Sequence, residues 1–230
     1  MLRRAFPILG VLTAALLSYG LYEALIGAPI EQSMGEVQRI FYYHAPSAWT
    51  AFLLFTVNFV ASVVYLIRRS IKADILALVT AEVGVVFCTV VLVTGPLWAR
   101  PVWGIWWTWD IRLTSTLVLW LIYVSYLMLR RFSSSGQTPL MAAVLAVFGA
   151  LDVPLVYFSI WFFRTQHPQP VIGGGGSIDP KMLQVALLNW AAFLCFAGLV
   201  CWSRYRLELL QREVEETEAL EALLDSGGAP

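Results

Sequence analysis

Charge is scarce in this sequence. Only 13% of its 230 residues are Asp, Glu, Lys or Arg and 59% are hydrophobic, whereas a soluble domain carries about 25% charged and about 45–50% apolar residues. That balance disfavours a water-soluble globule and points to a chain solvated by lipid. The formal net charge is zero, so there is no basic or acidic surplus to suggest nucleic acid or an acidic partner. Cysteine is equally thin. Cys88, Cys195 and Cys201 all lie in apolar runs, and neither CxxC nor CxxCH occurs, which argues against a disulfide framework. No Walker GxxxxGK[ST] is present: the "GGGGS" of residues 173–177 lacks the lysine and follows no strand. Histidine is rarer still, with only His44 and His167.

What the chain has in abundance is long apolar runs. A bilayer-spanning helix needs about 20 mostly apolar residues. Six segments qualify, at residues 5–25, 47–67, 75–94, 113–129, 139–162 and 182–202. Each can satisfy its own backbone hydrogen bonds in lipid only as a helix. The fold expected is therefore all-α, a polytopic membrane protein with six transmembrane helices. The first run follows Arg3 and Arg4 as a signal peptide would, but it is long for one and ends in no small-x-small site, so it reads as a retained helix.

Basic residues give the orientation. With a cytoplasmic N-terminus, ten lie inside (Arg3, Arg4, Arg68, Arg69, Lys72, Arg130, Arg131, Arg204, Arg206, Arg212) and five outside (Arg39, Arg100, Arg112, Arg164, Lys181). This fits the positive-inside rule and makes both termini cytoplasmic. The organisation expected is a transmembrane domain over residues 1–203, with an outer Trp-rich loop at 95–113, and an acidic cytoplasmic tail at 204–230. The tail alternates charge with Leu and reads as a solvated, fraying helix end. The inside connections are short. The outer ones, 26–46, 95–112 and 163–181, are long, and function concentrates on elaborated loops.

The second outer loop, "GPLWARPVWGIWWTWDIRLT", holds five of the ten tryptophans: Trp98, Trp103, Trp106, Trp107 and Trp109. Tryptophan is enriched at any membrane interface, so a simple aromatic belt is one reading. It accounts less well for five rings in one loop when Trp49, Trp161 and Trp190 mark the other outer ends singly. The two histidines flank this loop on the same side, each beside a helix end. They are interfacial polar residues or ligands. Two histidines without cysteine make a poor zinc site, even with Asp110 or Asp179. Haem iron needs only one or two axial ligands. Its macrocycle suits Trp faces and edges, and its propionates suit Arg39, Arg100, Arg112 or Arg164.

Three stretches carry a resemblance. "WGIWWTWDIRLT" resembles the tryptophan-rich WWD signature of the haem-handling protein family. "RIFYYHAPSAW" and "DVPLVYFSIWFFRTQHPQP" resemble the two histidine segments of its cytochrome c maturation C-protein branch. The likeness spans roughly residues 35–190. It implies a b-type, non-covalent haem held on the periplasmic face of the bacterial inner membrane, with His44 and His167 as axial iron ligands. It implies haem contacts through Trp103, Trp106, Trp107, Trp109 and Asp110, to which Arg100 and Arg112 add propionate partners. It also implies transfer to a membrane-anchored periplasmic haem chaperone, alongside separate ABC transporter subunits. Such a chain delivers haem rather than acting as an enzyme, though it could assist attachment on the chaperone. On this reading His44, beside Pro46, is the anchoring ligand. His167, between proline-rich and glycine-rich stretches, is the one that lets go.

Other classes fit less well. The synthetase branch expects further histidines within the helices, and a quinone oxidoreductase expects its pair there. A small-solute transporter, the alternative with the Trp loop as a belt, would more often show repeats or broken helices. Glu82 and Asp152 lie inside predicted spans, where carboxylates are costly and invite a functional reading. Hydrogen bonding to Asn58, Asn189 or Thr80 is the equal alternative.

Overall fold

The computed structural model describes residues 2–163, 165, 167 and 178–227. It is all-helical, with no β-strand among the described residues. The elements are α1 (Leu2–Tyr22), α2 (Phe41–Arg68), α3 (Ile71–Trp103), α4 (Ile111–Phe132), α5 (Thr138–Ala150), α6 (Asp152–Phe162) and α7 (Pro180–Gly227). A wide turn at Glu23–Gly27 extends α1, and a tight turn at Glu36–Ile40 leads into α2. Six helical stretches, with α5 and α6 counted as one, are long and apolar enough to cross a membrane.

The α2–α3 hairpin is the centre of the bundle, and α4, α5 and α7 pack around it. Its seam is made of small residues: Ser47, Ala51, Ala61 and Ser62 of α2, and Ala73, Ala77, Ala81 and Gly84 of α3, all buried. Without a hydrophobic drive between helices in lipid, such residues let backbones approach closely and gain van der Waals contact. Gly84 is the tightest point, since a Cβ there would lie 2.7 Å from Phe55 Cε1. Phe55 in turn stacks on Tyr123 of α4 at 3.8 Å. Asn58 closes the seam with a bond to the Ala77 carbonyl at 2.7 Å.

Helix ends depart from the apolar runs. α2 begins ahead of Pro46 and α3 continues through Pro96 and Pro101 to Trp103, so His44 lies in a helix and half of the Trp-rich stretch is helical. Each proline removes one i→i−4 bond, but Trp98 and Ala99 are buried against the bundle, and that packing carries α3 onward. At 33 residues α3 is about 50 Å long, beyond the hydrocarbon thickness of about 30 Å. It stops at Gly104, whose φ of 77° is left-handed and whose N–H bonds the Arg100 carbonyl. The fifth run breaks at Leu151 into α5 and α6, where Pro154 falls in the first turn of α6 and its missing N–H is harmless. α7 crosses residue 203 without interruption.

Charged groups gather at the end of the bundle opposite the Trp-rich stretch. Asp74, 2% exposed, accepts two bonds from Arg130 (2.6 and 2.9 Å) and one from Arg212 (2.9 Å), joining α3, α4 and α7. Glu82 is paired rather than hydrogen-bonded to an amide: Arg204 donates to both its oxygens at 2.9 Å. Arg204 and Arg212 therefore pack on the bundle, and from Glu213 through Leu224 every residue is exposed. Asp152 Oδ2 is buried with no partner among the described residues.

Breaking a buried pair by removing one partner leaves an uncompensated charge. Asp74→Ala is expected to lower stability by about 3–5 kcal/mol, measured by denaturant unfolding in detergent micelles. Adding Arg130→Met should recover part of that loss.

Candidate functional site

At the Trp-rich end, α2, α3, α4, α6 and α7 surround a cavity of about 1100 Å³ that reaches inward to Ala51, Cys88 and Thr116. Small-molecule sites span roughly 300–1,000 Å³, so this one suits a large ligand. Its walls carry many aromatic rings, with Trp98, Trp103, Trp106 and Trp107 from the α3–α4 stretch, Trp49 and Trp190 from α2 and α7, and Tyr157 and Phe158 from α6. Trp49 and Trp190 meet edge to face at 5.5 Å.

Both histidines line this cavity, although 123 positions separate them in the sequence. Their ring centres are 6.2 Å apart with planes inclined by 33°. His44, buried in the second turn of α2, places Nδ1 2.8 Å from Thr94 Oγ1 on α3. Trp98 meets the His44 ring edge to face at 5.9 Å. His167 is held through backbone: its N–H donates to Thr165 Oγ1 at 3.1 Å, and Thr165 donates to Asp110 Oδ2 at 2.9 Å.

Asp110 is a junction. Its Oδ1 caps α4 by accepting from the Leu113 N–H at 2.9 Å, and its Oδ2 takes bonds from Thr108 and Thr165. One carboxylate thus fixes the start of α4 and the segment carrying His167.

The other predicted positions divide into two layers. Trp103, Trp106, Trp107 and Arg112 line the cavity, whereas Trp109, Asp110 and Arg100 do not. Trp109 is 77% exposed and packs edge to face on Trp107 at 5.7 Å. Arg100 bonds the Gly104 carbonyl and lies 6.0 Å over the Trp106 ring, holding the turn after α3. Arg39 pairs with Glu36 and donates to the Ala24 carbonyl at 2.9 Å. Arg112 donates to the Val156 carbonyl of α6 at 3.5 Å, which leaves it the one cavity-lining arginine among the described residues. Arg164 and the glycine run at 173–177 lie outside the described residues.

Three donors at the cavity are orphans. The indole N–H groups of Trp98, Trp107 and Trp190 are buried and have no acceptor among the described residues. Buried polar groups are nearly always satisfied, so these point to a ligand carrying acceptor oxygens. Sequence reasoning did not single out Thr94, Trp98 or Thr165 as site residues. Trp98 was visible as one more ring of the loop, while a threonine inside or beside an apolar run carries no signal of its tertiary partner.

Fold and cavity define a class: a helical membrane protein with an aromatic ligand site bearing two neighbouring imidazoles. The family model described as Heme exporter protein C matches residues 1–220, and the chain belongs to that family. It is 35% identical over 222 residues to Heme exporter protein C of Bradyrhizobium diazoefficiens, covering 95% of this chain and 84% of the relative. It is 30% identical over 222 residues to the Escherichia coli K12 protein of the same name, covering 96% and 90%. A ccmC-like mitochondrial cytochrome c biosynthesis protein of Marchantia polymorpha is 32% identical over 185 residues, covering 80% and 79%.

Asp110→Ala should cost about 1 kcal/mol through loss of the cap. Hydrogen exchange should speed up at the amides of Leu113 and His167 together. Asp110→Asn, which keeps one acceptor oxygen for the cap and loses the other, should leave Leu113 near wild-type protection while His167 still exchanges faster.

Proposed function

We propose that this chain binds haem non-covalently in the cavity, with His44 and His167 as axial ligands, and hands it to a membrane-anchored haem chaperone during c-type cytochrome maturation. The observation that carries the reading is the imidazole pair at one aromatic cavity. The His44 and His167 rings stand 6.2 Å apart at that cavity, so both side chains would hold one bound group there, and haem iron takes one or two such ligands. Membership of the Heme exporter protein C family supports a role in haem handling for cytochrome c maturation.

The remaining wall residues fit the same ligand. Trp103, Trp106 and Trp107 offer apolar faces and edges to a macrocycle. Arg112 and the orphan N–H groups of Trp98 and Trp107 offer donors to propionate oxygens. Asp110, Trp109 and Arg100 act one layer back, by shaping the loop. Trp109, outside the cavity and exposed, is the ring that an interfacial belt explains best.

The site faces the periplasm in this reading, at the outer side of the bacterial cytoplasmic membrane, because ten of fifteen basic residues fall on the other side. A chain without a nucleotide-binding loop relies on a separate ATPase, consistent with ABC-type partner subunits. The protein is a carrier, and covalent attachment takes place on the chaperone. His44, beside Pro46 and with its Nδ1 bonded, serves as the anchor; His167, between proline-rich and glycine-rich stretches of sequence, is the ligand released at handover.

The test is a visible absorption spectrum of the protein purified in detergent, beside the double variant His44→Ala, His167→Ala. A sharp low-spin haem spectrum in the wild type, lost in the variant, is the expected result. Absence of any haem spectrum in the wild type after reconstitution would return the tryptophans to a membrane-interface role.

A further inference from the structure

Resting on the ligand role of His44, we infer that Thr94 is its positioning residue. It sets the tautomer and aim of the imidazole from the neighbouring helix. The argument is a count of protons. A threonine hydroxyl has one hydrogen and two lone pairs. Thr94 Oγ1 lies 2.7 Å from the Val90 carbonyl, one turn back on α3, and 2.8 Å from His44 Nδ1. A carbonyl only accepts, so the hydroxyl hydrogen goes to Val90. The bond to His44 therefore runs the other way, with Nδ1–H donating to Thr94. A neutral imidazole protonated at Nδ1 presents a bare lone pair at Nε2, the form that ligates a metal. Donation from the far nitrogen also fixes ring orientation and raises ligand basicity.

Two neighbours on the same turn of α3 complete the cradle. Trp98 bounds the ring from one side at 5.9 Å. A Cβ at Gly95 would touch His44 Cε1 at 3.5 Å, so any side chain longer than alanine there would crowd the ring edge. Thr94, Gly95 and Trp98 thus hold the ring through one hydrogen bond, one close approach and one aromatic edge. His167 lies on a different segment, where its backbone N–H donates to Thr165 Oγ1 at 3.1 Å.

The experiment titrates haemin into the purified full-length chain and compares wild type, Thr94→Val, Thr94→Ser and His44→Ala. Affinity, the low-spin absorption bands and the haem midpoint potential are read for each. Thr94→Val keeps the shape and loses the hydroxyl. It should weaken haemin binding roughly 10–100-fold, broaden the low-spin bands and shift the potential, while Thr94→Ser restores all three. A Thr94→Val protein matching wild type in all three, with His44→Ala deficient, would overturn the role of Thr94 and leave the ligand reading standing. A His44→Ala protein with wild-type spectrum and affinity would overturn the ligand reading itself. Loss in Thr94→Val without rescue by serine would reduce Thr94 to a packing residue and overturn the inference.

Discussion

The close approach of α2 and α3 is the constraint on which the rest depends. Alanine, serine and glycine along the seam bring the two backbones together, and dispersion, small per atom pair but summed over a long interface, holds them there. Because the hairpin is tight along its length, the top of α2 and the far end of α3 meet at a set register. That register puts Nδ1 of His44 within 2.8 Å of Thr94 and Trp98 against both His44 and Phe41. A looser seam would leave the same residues present but out of reach of one another. Gly84, where a single methyl would strike Phe55, lies one turn before Cys88 at the inner end of the cavity.

Charge is distributed in a way that complements the seam. Asp74, Arg130 and Arg212 tie three helices together at the end opposite the cavity, and Glu82 and Arg204 add a second tie between α3 and α7. These pairs are satisfied locally and fix the base of the bundle. At the cavity end the polar groups behave differently. Arg112 donates to a carbonyl at the limit of hydrogen-bond range, and the indole N–H groups of Trp98, Trp107 and Trp190 lack acceptors among the described residues. Donors left over around a cavity suit a ligand that accepts from them.

Much of the fold was legible in the chain and its ends were not. Six apolar runs announce six spans because lipid permits nothing but helices to cross it. Helix limits run past the apolar runs at the prolines. Pro46, Pro96 and Pro101 all lie inside helices, since buried neighbours such as Trp98 outweigh one lost backbone bond. A helix beyond residue 203 was expected, but its packing was hidden: Arg204 and Arg212 look like solvated tail residues until their partners on α3 are known. The histidines and most of the tryptophans could be named from spacing and side, whereas Thr94 and Thr165 could not. Their significance lies in what they touch across 50 or 55 positions of sequence, and no local pattern encodes that.

The two imidazoles are held by unlike means, and this asymmetry bears on the proposed carrier role. His44 belongs to a helix in the centre of the bundle, and its own ring is bonded to a second central helix. Moving it requires shearing α2 against α3, the best-packed interface of the molecule. His167 is reached through a chain of two hydrogen bonds, from its backbone to Thr165 and from Thr165 to Asp110. Each typically contributes about 0.5–1.5 kcal/mol, with the bond to the carboxylate somewhat stronger. A binder with both ligands set in the core would retain its cargo. One with both on loops would hold it in no defined place. On the proposed reading, a fixed ligand and a tethered one reconcile holding with release, and Asp110 links the tether to the helix start that also delivers Arg112 to the cavity wall. A partner that displaced Thr165 from Asp110 would then loosen one axial position while leaving the other, and the α2–α3 core beneath it, unchanged.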